Sequence, residues 1–230
     1  MHSPRLMLMG ILAMVLPQGS STIAAQAGFV SARYVGGGLP VVPVLVVSGG
    51  QVFLEVLVAA DGGVDSIRTL RITPPFTDAV TAAVGGWRFR PATAAAPSST
   101  GQAAAPTRPV AAPVFVAAMF TPPVLIGPTL GQPPQDVLSA SDEVPMPTVA
   151  TPAAYPPRAL GDGTVLVEVT IDGAGVLTDA EVKFSSPAFD AAAIAAARTW
   201  SFRPARRRGS AVTTHAYLIF AFRQPVVGLA

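Results

Sequence analysis

GTVLVEVTIDGAGVLTDAEVKFSSPAFDAAAIAAARTWSFRPARRRGSAVTTHAYLIFAF, Gly163 to Phe222, is the stretch whose reading decides the fold. Val165, Val167, Val169 and Ile171 alternate with Leu166, Glu168 and Thr170, the period-two pattern of a half-buried strand. Asp172-Gly173-Ala174-Gly175 supplies residues that tolerate positive φ and reads as a tight turn. A second strand follows, with Val176, Ala180, Val182 and Phe184 on one face and Asp179, Glu181 and Lys183 on the other. Ser185-Ser186-Pro187 has the form of a helix start, serine as cap and proline in the first turn. Phe189, Ala193, Ala196 and Trp200 then step by four, three and four along one helix face. A last strand, Val212 to Phe222, directs Leu218, Phe220 and Phe222 inward. The order is β-β-α-β.

Motifs inside and just before this stretch carry a resemblance. Tyr155-Pro156-Pro157-Arg158-Ala159, the strand-turn-strand, and Ala197-Arg198-Thr199-Trp200-Ser201-Phe202-Arg203-Pro204-Ala205 resemble the C-terminal domain of the TonB family. The pattern YPxxA, GxVxVxVxIDxxGxV, WxFxPA is long, and it spans about a third of the chain.

A poorer copy lies upstream. Gln51 to Ala92 aligns with Thr164 to Ala205: Glu55 and Glu168 are 113 positions apart, as are Trp87 and Trp200. Phe89-Arg90-Pro91-Ala92 repeats Phe202-Arg203-Pro204-Ala205, and Phe76, Val80, Ala83 and Trp87 repeat the helix stripe. The period exceeds that of stacked arrays, which argues for tandem domains rather than a solenoid. In this copy Arg68 falls on the expected inner face of its strand, and the turn from Ala59 to Gly63 reads as one residue longer. Gly85 and Gly86 weaken the last helical turn by about 1 kcal/mol each relative to alanine. No Tyr-Pro motif precedes it, and an insert rich in alanine, proline, serine and threonine, Thr93 to Pro113, reads as disordered and delays its last strand, Val114 to Phe120.

The expected architecture is therefore α+β: two tandem β-β-α-β domains, each a three-stranded antiparallel-type sheet with one helix packed on a face. Residues 1–27 read as a signal peptide, 28–50 as an N-terminal segment, 51–120 as the first, degenerate domain, 121–151 as a proline-rich linker and 152–224 as the second domain. The signal reading rests on a short basic start, an apolar run of 11 residues from Leu6 to Leu16, and the small-x-small site Ala25-Gln26-Ala27. A spanning helix needs about 17–25 apolar residues. A retained N-terminal anchor in the inner membrane, facing the periplasm, is the alternative. The linker holds Pro122, Pro123, Pro128, Pro133, Pro134, Pro145 and Pro147, and reads as a semi-extended spacer reaching at most about 90 Å. The TonB family's longer proline-rich spacer and N-terminal membrane helix are missing from this pattern.

Chemistry is scarce. The 230 residues contain no cysteine, which excludes disulfides, thiolate nucleophiles and cysteine metal sites. His215 is the one histidine beyond residue 27, so a zinc site has too few ligands. Asp172 serves a turn and Asp179 a solvated face, and Gly173-Ala174-Gly175 leads into a strand, unlike a phosphate loop. Trp87 and Trp200 close their helix stripes as core anchors. With a formal net charge of +2 and no basic patch interleaved with aromatics, nucleic acid is not an expected partner. The 14 arginines against one lysine read as composition bias, although Arg206-Arg207-Arg208 at a loop tip suits an anionic contact on a partner or a membrane surface. Neither an enzyme nor a cofactor is expected.

Binding is the expected role. With a right-handed crossover the strand order is 2-1-3, so the last strand is an edge open to an added extended peptide. The resemblance implies the same: in the TonB family this strand receives a short extended segment of outer-membrane transporters. The partner-binding residues it implies here are Thr213, His215, Tyr217, Ile219 and Ala221 along the edge, with Tyr155 and Pro156 nearby. The expected partner is such a segment of an outer-membrane TonB-dependent transporter, or another envelope protein, and the expected location is the periplasm. A homodimer or intramolecular pairing of the two domains is also open. In a rival reading the copies pair edge to edge as a structural module, and in a third the protein is a short membrane-anchored energy transducer.

Overall fold

Alternating valines do build the strands they suggest, and the computed structural model shows what those strands pair with. It describes residues 28–42, 48–96, 107–123 and 133–226. The first half contains β1 (Arg33–Gly36), β2 (Gly50–Val58), β3 (Val64–Arg71), α1 (Phe76–Gly85), β4 (Arg88–Arg90), β5 (Ala92–Ala95), β6 (Thr107–Val110) and β7 (Ala112–Phe120). The second half repeats the order with β8 (Met146–Val149), β9 (Gly163–Ile171), β10 (Leu177–Phe184), α2 (Asp190–Ala197), β11 (Ser201–Arg203), β12 (Arg206–Arg207), β13 (Ser210–Ala211) and β14 (Thr214–Phe222). Among the described residues the fold is mixed α+β, with two helices and mostly strands.

Each half has the 2-1-3 strand order, but the halves are not separate sheets. One six-stranded sheet runs β10-β9-β14-β7-β2-β3. The two last strands, β14 and β7, lie side by side in parallel register, from Ala216 opposite Phe115 to Ala221 opposite Phe120. This corrects the expectation of two independent three-stranded domains. Left apart, each half would present a long strand with unpaired backbone groups and large apolar side chains, an edge that invites association.

The two helices cover opposite faces. On one side α1 packs over Val52, Leu54, Val56 and Val58 of β2 and Val114, Val116 and Ala118 of β7. That core continues across the join to Tyr217, Ile219 and Ala221 of β14 and Leu166 of β9. On the other side α2 packs over Val165, Val167, Val169 and Ile171 of β9 and Leu218, Phe220 and Phe222 of β14. That core continues to Phe115, Ala117 and Met119 of β7 and Phe53 of β2. Parallel central strands, mirrored strand order and helices on opposite faces together define an approximate two-fold axis running along the join. Both cores therefore contain residues from both halves.

Local details repeat. The Trp87 indole N–H donates to the Gly38 carbonyl (2.8 Å) and the Trp200 indole N–H to the Thr151 carbonyl (2.9 Å). Strand β1 pairs antiparallel with β4 as β8 does with β11. The β2–β3 and β9–β10 turns have the same length, contrary to expectation: Ala59 N–H bonds Gly63 O and Asp172 N–H bonds Val176 O. Gly62 (φ 87°) and Gly175 (φ 86°) hold matching places, where a Cβ would collide with the carbonyl oxygen of Phe89 or Phe202.

Other expectations need correction. Helix α2 starts at Asp190 without a serine cap; instead the Asp190 carboxylate accepts from the Ser185 hydroxyl (2.6 Å) and the Ser186 N–H (2.8 Å). Val176 and Phe184 are exposed, because β10 shifts register near both ends against β9. Arg68 points outward to solvent and pairs with Glu55. The insert after Thr93 is framed by an antiparallel hairpin of β5 and β6, and only its residues 97–106 lie outside the described residues.

Nor is the linker a free spacer over 133–151. Val144 and Ala150 are buried, Leu138 N–H donates to Leu70 O (2.7 Å), and Ser141 N–H donates to Glu55 Oε2 (3.1 Å). Its residues 124–132 lie outside the described residues, as do residues 1–27, on which the signal-peptide reading falls. Among the described residues no helix is long and apolar enough to cross a membrane.

Candidate functional site

The expected partner strand sits in the middle of the sheet. On one side β14 pairs antiparallel with β9 from Thr214–Ile171 to Phe222–Gly163. On the other it pairs with β7 over Ala216 to Ala221. The last strand is therefore not an edge, because the first half's last strand occupies the position an added peptide would take.

Its side chains follow suit. Tyr217, Ile219 and Ala221 are at most 1% exposed in the core under α1. Thr213 and His215 are half-buried at the start of the strand. Tyr155 and Pro156 are half-buried elsewhere, on the α2 side. There the Tyr155 ring meets Phe189 (5.6 Å), Phe189 stacks on Phe222 (4.8 Å), and the Tyr155 hydroxyl donates to Gly161 O (2.8 Å). The residues expected to form one peptide-binding surface are thus split between two faces of the sheet.

What gathers around β14 instead is an internal polar seam with the segment Ser31–Tyr34. The Tyr217 hydroxyl accepts from Tyr34 N–H and donates to the Ala32 carbonyl, both at 3.0 Å. Burial pushes the ionisation of that phenol well above its ordinary range, so it stays a neutral two-way hydrogen-bonding group. Ser31 Oγ lies 2.6 Å from His215 Nδ1. Burial holds the His215 pKa below its ordinary value, and the neighbouring Arg33 and Lys183 add to this against the pull of Glu168 and Asp179. Arg33 bonds the buried carboxylate of Glu168 through Nε (3.0 Å) and also through its terminal nitrogen, and reaches Glu181 at 3.3 Å. These bonds raise the Arg33 pKa further.

The seam was not expected from sequence, yet β7 and β14 carried a signal for the join. APVFVAAMF and THAYLIFAF are almost continuously apolar rather than alternating, and seven residues in a row of each are buried. Strands of a parallel pair covered on both faces read in this way.

Residues 151–223 match the family of the Gram-negative bacterial TonB protein C-terminal. The match falls on the second half, about a third of the chain, and not on the first. No curated protein matches the chain. TonB family proteins are associated with the Gram-negative envelope, and a match to this C-terminal domain implies involvement in TonB-dependent envelope transport. The kind of partner this suggests is an outer-membrane transporter.

Proposed function

We propose that the protein is a non-catalytic, exported binding module of TonB-dependent envelope transport whose last strand is closed to strand addition by its own first half. The observation that carries this reading is the pairing of β14 on both sides, six residues deep against β7, with its side chains buried on both faces. An extended transporter segment adding there has to displace β7 and expose Phe115, Ala117 and Met119 from one core and Val116 and Ala118 from the other. Envelope partners are then met on the outer surfaces of the paired units. The polar seam is structural in this reading, its hydrogen bonds joining β14 to the segment before β2.

The absence of native cysteine permits a clean test. Ala118 and Ile219 are directly opposed in the parallel pair. The double variant Ala118→Cys, Ile219→Cys, oxidised, locks β7 to β14. Parent and locked protein should show the same weak or absent binding to extended segments from transporter N-termini. If the parent captures such a segment and the locked form does not, the strand does open and the peptide-acceptor reading replaces this one.

A further inference from the structure

One end of the sheet carries a cleft with two arginines in its wall. Strands β7 and β14 are parallel, and each is entered directly from a hairpin, β5–β6 or β12–β13, so the two hairpins project from the same end of the molecule. The chain enters the described structure between them: Ala95 N–H donates to Gly28 O (2.9 Å), and Val30 and Thr93 exchange backbone bonds of 2.9 Å. A cleft of about 330 Å³ lies there, lined by Gly28, Phe29, Ala94, Arg207, Arg208 and Val212 among others, with no carboxylate in its wall.

The arginines of this cleft are presented rather than paired. Arg207 stacks over the Phe29 ring at 4.6 Å, which braces the guanidinium without neutralising it. Arg208 stands exposed at the hairpin tip at φ 51°, followed by Gly209 at φ 83°. Arg206 bonds the Gly209 carbonyl (3.0 Å), and Arg108 is exposed on the other hairpin. Of the acidic groups at this end, Asp61 and Asp172 turn their carboxylates onto their own turns, accepting from Gly63 N–H and from Ala174 and Val176 N–H, each at 2.9 Å, while Asp142 lies beside Arg206, whose backbone N–H donates to the Asp142 carbonyl (2.6 Å).

We infer that this end is a docking surface for an anionic lipid bilayer, with the cleft between the hairpins seating a phosphate-bearing headgroup. Guanidinium groups bind phosphate in a planar, two-pronged geometry, and Phe29 and Val212 give the cleft an apolar floor suited to the glycerol region. The sequence before Gly28 supports this occupant over a soluble one. The apolar run Leu6 to Leu16 ends 12 positions before Phe29's neighbour Gly28, within about 40 Å of extended chain. If that run is retained, it holds this end at a membrane; if it is removed behind Ala27, the new α-ammonium of Gly28 adds a further cation to the cleft.

Vesicle binding of the purified protein tests the inference. Phosphatidylcholine vesicles with and without phosphatidylglycerol are compared for the parent and for the double variant Arg207→Gln, Arg208→Asn. Asparagine is chosen because it accepts the positive φ at that position, and tryptophan fluorescence checks that both proteins are folded. The parent should bind the anionic vesicles more tightly, the preference should weaken with salt, and the double variant should lose about 30-fold in partitioning at low salt. Binding to neutral vesicles, which reports any contribution of the N-terminal run, should be equal for the two proteins. Equal binding of parent and variant to anionic vesicles overturns the inference. Displacement of the parent by inorganic phosphate at constant ionic strength also overturns it, because the cleft would then serve a free anion and not a surface.

Discussion

The two halves solve one electrostatic problem in different ways. Each places a glutamate at the same point of its first strand, Glu55 in β2 and Glu168 in β9, facing away from its own helix. In the first half the cross-strand neighbour is Arg68, which pairs with Glu55 inside the unit, and Ser141 N–H adds a bond. Burial works against the Glu55 charge, but these bonds hold its pKa below the ordinary value. In the second half the cross-strand neighbour is another acid, Glu181, and the cation comes from the first half as Arg33. Glu168 is also the more buried of the two, at 2% against 12% side-chain exposure. The first half is electrostatically self-sufficient, whereas the second, which carries the TonB match, is completed by its neighbour.

The largest expected effect tests whether that dependence extends to the cores. Trp200 touches Phe53 of the first half (6.4 Å), and Trp87 touches Tyr217 of the second (6.1 Å). Trp200→Ala and Trp87→Ala should each cost about 3–5 kcal/mol as truncations of buried aromatics. Because both cores straddle the join, each variant should lower a single shared unfolding transition in calorimetry. Two resolved transitions, with only one shifted in each variant, would show two separate domains and break the comparison.

The sequence carried a good part of this fold. Alternating valines, the repeated Trp-x-Phe-x-Pro-Ala motif and the helix stripes place β2, β3, β9, β10 and both helices, because a strand or helix face is set by local period. Less legible was everything that depends on pairing partners. Nothing local in Thr214 to Phe222 says whether its second side meets solvent, a peptide or β7; only its continuous apolarity points to burial on both faces. Tyr217 lies on the face opposite Leu218, and that face is covered by α1, more than 130 residues away in sequence, and by Ala32 and Tyr34, more than 180 away. Short strands escaped notice for a related reason: β1 and β8 have no period of their own and are ordered by β4 and β11.

A middle-sized effect sharpens the charge comparison. Arg33 occupies the position that Met146 holds in the second half, so Arg33→Met makes the two halves alike there. It strands the buried Glu168 carboxylate and should cost about 1.5–3 kcal/mol, the range for bonds to a charged group. Glu181→Arg gives the second half the same internal partner that Arg68 gives the first. In the Arg33→Met background it should restore most of the loss, measured by denaturant titration as a double-mutant cycle. A rescue smaller than the experimental error would mean that Arg33 acts through packing and not through Glu168.

The smallest effect is a pH dependence confined to the seam. His215 is held below its ordinary pKa in the folded protein, first by burial and then by Arg33 and Lys183. A histidine whose folded pKa lies below its unfolded value of about 6.5 takes up its proton more readily when unfolded. Its contribution is therefore fully present above pH 6.5 and is lost as pH falls from there towards the folded pKa. The loss is at most about 1.4 kcal/mol for each pH unit within that window. Glu55, also depressed, loses its contribution only as pH drops into and below the ordinary carboxylate range, so it does not contribute to the change between pH 6.5 and 5. His215→Gln keeps an acceptor for the Ser31 hydroxyl and cannot titrate. The parent should lose stability between pH 7 and pH 5, and the variant should show a flatter profile over the same interval. Identical slopes for the two proteins would assign the pH response to other groups and remove His215 from the account of the seam.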